Sequence, residues 1–217
     1  QYGDAAPLIE GLNISVAAGE IVAILGPSGV GKSSLLRILA GLQKASAGKV
    51  LVDGEPIDGT HPRVAMAFQD PSLLPWLTLE KNVAFGLDFR HQPHLTATEK
   101  NQRVTAAIRE VGLEHARHRM PAELSGGMAQ RTALARCVAR QPEVILLDEP
   151  FGALDEVTRA AMQRLLLKLR EDLGTAAVLI THDIDEALQV ADRIVLLGGV
   201  PAHAIGEWNI AYAQPRD

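Results

Sequence analysis

The chain is poor in several things at once. It has a single cysteine, Cys137, in 217 residues, so no internal disulfide can staple it. That excludes a disulfide scaffold and points to a cytosolic setting. Aromatic residues make up 4% of the chain, eight side chains in all, too few for a base-stacking platform. There is no basic excess: 21 Lys+Arg stand against 26 Asp+Glu, a formal charge of −5, which argues against nucleic acid as a partner. No apolar run approaches the roughly 18–20 residues that cross a bilayer. No signal peptide opens the chain. It starts on Gln1 and finishes on Pro215-Arg216-Asp217, which reads as trimming at both ends.

What is present is an ordinary globular composition, 47% apolar. Short β-branched or apolar runs recur at Ile21–Leu25, Val50–Val52, Val64–Phe68, Val144–Leu147, Ala177–Ile180 and Ile194–Leu197. Each is bounded by Gly, Asp, Pro or Thr and predicts a strand covered on both faces. Helical patterns lie between them, at Lys32–Ala40, Thr96–Val111, Gly127–Arg140, Glu156–Asp172 and Ile184–Val190. The alternation predicts an α/β fold around a parallel sheet. The stretch 71–121 lacks a strand run and reads as a helical insertion. Ala202 to Asp217 reads as irregular.

Three segments carry chemistry. Gly26-Pro27-Ser28-Gly29-Val30-Gly31-Lys32-Ser33 follows one strand and opens a helix, fitting the phosphate-loop pattern G-x-x-x-x-G-K-[ST]. Its glycines let backbone amides turn toward phosphates, and the helix start adds free N–H donors. Lys32 can reach the β- and γ-phosphates, and Ser33 can ligate Mg²⁺. Val144–Leu147 runs into Asp148-Glu149-Pro150, two carboxylates at a strand end. Asp148 suits Mg²⁺ and Glu149 suits a general base. Leu124-Ser125-Gly126-Gly127-Met128-Ala129-Gln130-Arg131 offers a second helix start with free amides. A capped helix after a turn would read the same way.

This LSGG-x-x-QR string, standing between the phosphate loop and the acidic pair, resembles the ATP-binding cassette (ABC) ATPases over nearly the whole chain. The resemblance implies a P-loop NTPase with a RecA-like parallel-sheet core, an N-terminal antiparallel β subdomain and an inserted helical subdomain. Residues 1–70 and 140–217 would form the nucleotide-binding core and 71–139 the helical part carrying the signature. It implies ATP and Mg²⁺ as ligands. ATP would meet Gly26 to Ser33 together with Ser34, an adenine-stacking Tyr2, and Ser125, Gly126 and Gly127. Catalysis would involve Glu149, His182, Gln69 and Lys32, with Ser33, Gln69 and Asp148 toward the metal. A head-to-tail homodimer would bury Ser125, Gly127 and Asp155 of Gly152-Ala153-Leu154-Asp155 at its interface.

The insertion begins Gln69-Asp70-Pro71-Ser72-Leu73-Leu74-Pro75-Trp76 and, with Asn82-Val83-Ala84-Phe85-Gly86-Leu87, resembles importer cassettes of the nitrate, sulfonate and taurine type, or of thiamine-precursor uptake. That implies membrane permease subunits as partners and, indirectly, a periplasmic or lipoprotein solute-binding protein. The chain would sit peripherally on the cytoplasmic face of the inner membrane. Leu73, Leu74 and Trp76 read as a docking surface, or as packing of the insertion onto the core. Met128-Ala129 and Ser34 depart mildly from the commonest pattern. A soluble, non-transport ABC ATPase of DNA repair or translation is the alternative, disfavoured by the absence of heptads and basic excess. His115 and His118 read as solvated, and Cys137 as a small buried apolar residue.

Overall fold

A computed structural model describes residues 7–89, 92–152, 154–212, 214 and 216. The core is a six-stranded sheet of β1 (Ile21–Leu25), β4 (Val64–Ala67), β5 (Val144–Asp148), β6 (Ala176–Ile180), β7 (Arg193–Gly198) and β8 (His203–Asn209), in the order β4-β5-β6-β1-β7-β8. Every pairing is parallel except β7 with β8. Strands β1 and β6 are buried at every residue, because their side chains alternate between two faces that are both covered. Ile21, Ala23 and Leu25 enter one apolar cluster, and Val22 and Ile24 enter the other.

The second of these faces is closed by α1 (Lys32–Leu39), through Leu36 and Ala40. On the first face lie α2 (Leu79–Ala84), α3 (Ala97–Glu110), α4 (Gly126–Val138), α5 (Glu156–Leu173) and α6 (Ile184–Val190). Between β4 and β5 the chain holds α2, α3, α4 and two short 3₁₀ turns, without a strand. Local chemistry explains the helix starts. Thr96 and Glu99 form a reciprocal capping box on α3, and Asp155 caps α5.

Two differences from the sequence-based expectations stand out. The antiparallel part expected toward the N-terminus is limited, among the described residues, to a hairpin of β2 (Leu51–Val52) and β3 (Glu55–Pro56). Asp53 and Gly54 make its turn with positive φ, 51° and 79°, the conformation that favours Asp-Gly. Residues 7–20 add only an isolated bridge, Ile9 with Ala202. The segment expected to be irregular contains β8. It is an edge strand, exposed at six of seven positions, so it carries no buried apolar run and is made by its pairing to β7.

Cys137 is buried, and burial pushes its thiol up to about 11. His115 and His118 are exposed.

Candidate active site

The strand order explains the site. β4, β5, β6 and β1 are consecutive neighbours, and their carboxyl ends bear Gln69, Asp148-Glu149, His182 and the Gly26–Gly31 loop in turn. Open parallel sheets bind ligands in this position, where strands end and loops begin.

The loop after β1 leads into α1 through Gly31, at φ 104°, with no side-chain cap on the helix. The first amides of α1 are therefore available to an anion. Lys32 is buried, and its Nζ donates to the carbonyls of Gly26 (2.7 Å) and Pro27 (2.9 Å). Burial draws its pKa below the ordinary lysine value, against the opposing pull of Glu149 and Asp148. Ser33 Oγ donates to Asp148 Oδ1 at 3.2 Å. Burial holds the Asp148 carboxyl above the usual carboxylate value, chiefly by desolvation and against that hydrogen bond.

Glu149 is the most constrained residue here. Its backbone sits at φ 46°, a left-handed conformation uncommon for a side-chain-bearing residue. Its amide donates to Ile180 O at 3.0 Å, fixing it against the end of β6. Its carboxylate is held from both sides: Gln69 Nε2 donates to Oε2 at 3.1 Å, and His182 Nδ1 lies 3.4 Å from Oε1. Glu149 is thus aimed by the backbone and bracketed by residues from the two adjacent strand ends.

Ser125 caps α4 by accepting from Met128 N–H at 3.3 Å. A Cβ on Gly126 would meet open space, whereas one on Gly127 would lie 2.8 Å from Thr158 Cγ2 on α5. A side chain at Gly127 would therefore force Thr158 or the approach of α4 to α5 to shift, a packing role not visible in the sequence. Thr158 also donates from Oγ1 to Asp155 Oδ2 (2.7 Å), and its N–H donates to Oδ1 (3.0 Å). These bonds hold the Asp155 carboxyl below the usual carboxylate value. Among the described residues, no hydrogen bond or ion pair joins Ser125, Gly127 or Asp155 to the phosphate loop, Asp148 or Glu149. Tyr2 lies outside the described residues.

The loop after Gln69 projects Trp76, which is 70% exposed, while Leu73 and Leu74 are half-buried. Behind it Asn82, fully buried, accepts from Leu74 N–H (2.8 Å) and donates to the carbonyls of Leu74, Leu77 and Thr78. Arg136 on α4 donates to the carbonyls of Pro71 and Ser72. In the sequence Asn82 enters only as the start of the Asn82–Leu87 segment, and neither it nor Arg136 is marked as holding this loop. An Asn within an apolar helical stretch was the available signal for the first.

A glycine-rich loop and bare helix start beside a hydroxyl–carboxylate pair and a bracketed glutamate, at the ends of parallel strands, define a phosphate-loop NTPase. Residues 9–152 match the family described as "ABC transporter". The chain is 44% identical over 210 residues to "Nitrate import ATP-binding protein NrtD" of Synechococcus elongatus, covering 96% of this chain and 76% of that protein. It is also 44% identical over 210 residues to "Aliphatic sulfonates import ATP-binding protein SsuB 1" of Xanthomonas axonopodis pv. citri, covering 97% and 82%. Its fold is similar to the dimeric structure of a post-hydrolysis state of the ATP-binding cassette MJ0796 bound to ADP and Pi, with a TM-score of 0.85, 31% identity and coverage of 98% and 95%. The chain belongs to the ABC transporter family.

Proposed function

We propose that the chain is the ATP-hydrolysing subunit of an ABC importer. The observation that carries this reading is the Glu149 carboxylate, held between Gln69 and His182 beside the phosphate loop. In this reading the amides of Gly29 to Gly31 and of α1, through Ser33 and Ser34, cradle the phosphates, with Gly26, Pro27 and Ser28 shaping the loop. Lys32 exchanges its carbonyl partners for phosphate oxygens. Glu149 accepts a proton from the attacking water as the new oxygen–phosphorus bond forms and the β–γ bridge breaks, releasing ADP. His182 and Gln69 hold Glu149 and the γ-phosphate in register.

Mg²⁺ suits the donors present. The Ser33 hydroxyl and the Asp148 carboxylate are hard oxygens lying together, and Gln69, whose Nε2 reaches the neighbouring Glu149, would add its amide oxygen. Mg²⁺ takes oxygen ligands and keeps several from substrate phosphates, so two protein oxygens would suffice beside a nucleotide. When bound, it neutralises charge on those phosphates.

Ser125, Gly126 and Gly127 present amides with no partner in the chain's own phosphate loop. This supports a head-to-tail dimer in which they approach the γ-phosphate of a second copy, with Asp155 at the interface. The core, 1–70 and 140–217, would then close against the helical part, 71–139, of its partner. No helix among the described residues is long and apolar enough to cross a membrane. The membrane part of the importer would be separate permease subunits, docked on Leu73, Leu74 and the exposed Trp76 from the cytoplasmic face, with a solute-binding protein supplying them. The relatives' names support nitrate or sulfonate as the class of solute.

The test is Glu149→Gln. ATP binding stays within a few-fold of the parent, while hydrolysis falls about 10²–10⁴-fold, the usual worth of a general base. Near-normal phosphate release by that variant removes Glu149 from the role. In vesicles with the permease, Trp76→Ala lowers solute uptake more than ATP binding. Unchanged uptake would end the docking assignment.

A further inference from the structure

The loop bearing His182 and the loop bearing Asp155 are joined beneath the surface. Thr181, 1% exposed, donates from Oγ1 to Glu186 Oε2 at 2.6 Å and accepts from Asp183 N–H at 3.0 Å. Glu186, on the first turn of α6, is 4% exposed. Its other oxygen faces Arg159 Nε of α5 at 3.6 Å. Arg159 in turn donates from NH2 to the carbonyl of Leu154 at 3.1 Å, immediately before Asp155. Asp183 closes the turn by accepting from the amides of Asp185 and Glu186.

A buried carboxylate is held in an apolar setting only when partnered, and this one has a hydrogen-bond donor in Thr181 and, on a different element, an ion-pair neighbour in Arg159, whose Nε makes no hydrogen bond. One partner shapes the turn that points His182 at Glu149. The other grips the backbone beside Asp155. Burial holds the Glu186 carboxyl above the usual carboxylate value, against the pull of Thr181 and Arg159. The reaction described above makes no use of either side chain.

We propose that Glu186 and Arg159 are positioning residues that couple the Leu154–Asp155 loop to the Thr181–His182 turn. Seating of a second copy on the first loop thereby sets His182 against Glu149 in the same chain. The proposal rests on the reading of His182 and Asp155 given above and adds the connection between them. Misplacing a catalytic group by about 1 Å suffices to cost on the order of 10²-fold in rate.

The experiment measures kcat and KM for ATP on the intact purified chain with Glu186→Gln, Arg159→Met, the double variant and His182→Ala. Rates are normalised to bound nucleotide, and folding is followed by circular dichroism. Glu186→Gln keeps an acceptor for Thr181 and loses the ion pair. It and Arg159→Met each lower kcat about 10–10²-fold, with KM within about threefold. The double variant is no worse than the poorer single one within about twofold, because both remove one connection. Losses that multiply in the double variant overturn the coupling. So does a kcat within twofold of the parent in either single variant, even if its melting temperature drops, since that describes a merely structural pair. Should Glu186→Gln fail to fold, Arg159→Met decides alone. A normal kcat in His182→Ala sinks the underlying site reading instead. An impaired His182→Ala beside normal Glu186→Gln and Arg159→Met sinks only the coupling.

Discussion

Replacing Asn82 by Ala tests whether a single buried amide shapes the loop that displays Trp76. Asn82 has no solvent exposure and makes four side-chain hydrogen bonds. Two of the backbone groups it serves keep other partners: Leu74 O also accepts from Leu77 N–H, and Thr78 O from Asn82 N–H. The Leu74 N–H and the Leu77 carbonyl depend on Asn82 alone among the described residues. A buried polar group left without a partner costs about 1–3 kcal/mol, so with two such groups Asn82→Ala should destabilise by about 2–6 kcal/mol. That is a large part of the ~5–15 kcal/mol typical of a folded protein. Asn82→Asp should lose at least as much near neutral pH. Its ionised carboxylate can still accept from Leu74 N–H but would face three carbonyl oxygens with nothing to donate. Urea unfolding followed by circular dichroism gives the free energies. Hydrogen exchange at the Leu74 amide, protected in the parent, should accelerate toward loop rates in both variants. A loss under about 0.5 kcal/mol with Leu74 still protected would refute the reasoning, as would an Asp variant more stable than the Ala one.

Gly127→Ala places a methyl 2.8 Å from Thr158 Cγ2 and should destabilise by about 1–3 kcal/mol through overpacking. Adding Thr158→Ser removes that methyl while keeping the hydroxyl on Asp155, and should restore most of the thermal stability. If it does not, the contact is not what requires glycine. Asp148→Asn should raise the melting temperature at pH 7 while abolishing efficient hydrolysis. The folded-state pKa of Asp148 lies above its unfolded value, so its ionisation weakens folding as pH rises through the window above the ordinary carboxylate value. The stability gap between Asn and Asp should therefore close as pH falls below that window. A gap that widens on acidification would contradict the burial of this carboxylate.

The chemistry-bearing segments were legible for a reason that lies in their composition. Phosphate binding needs glycine, a lysine and a hydroxyl at set positions on a strand–loop–helix, so Gly26 to Ser33 announces itself. A buried parallel strand must be apolar at nearly every residue, so Ile21–Leu25 was read with its observed limits and Ala176–Ile180 to within one residue. β8 escaped because an exposed edge strand carries no such run, and α2 because its six residues are too few to establish a period. Gly127 was legible as a glycine yet not as a packing requirement, since Thr158 is distant in sequence.

Residue identity alone determined that a phosphate loop, an acidic strand end and a second, Ser-Gly-Gly helix start exist in one chain, because each is a local pattern of side chains. Only the tertiary structure decided which of them meet. The order β4-β5-β6-β1 brings Gln69 and His182 to opposite oxygens of Glu149, residues separated by dozens of positions along the chain. The same packing buries Asn82 and joins Glu186 to Arg159, side chains that look unremarkable in sequence. Hydrogen bonds and ion pairs of this kind act over a few ångströms of space, and strand order sets which residues come within that distance.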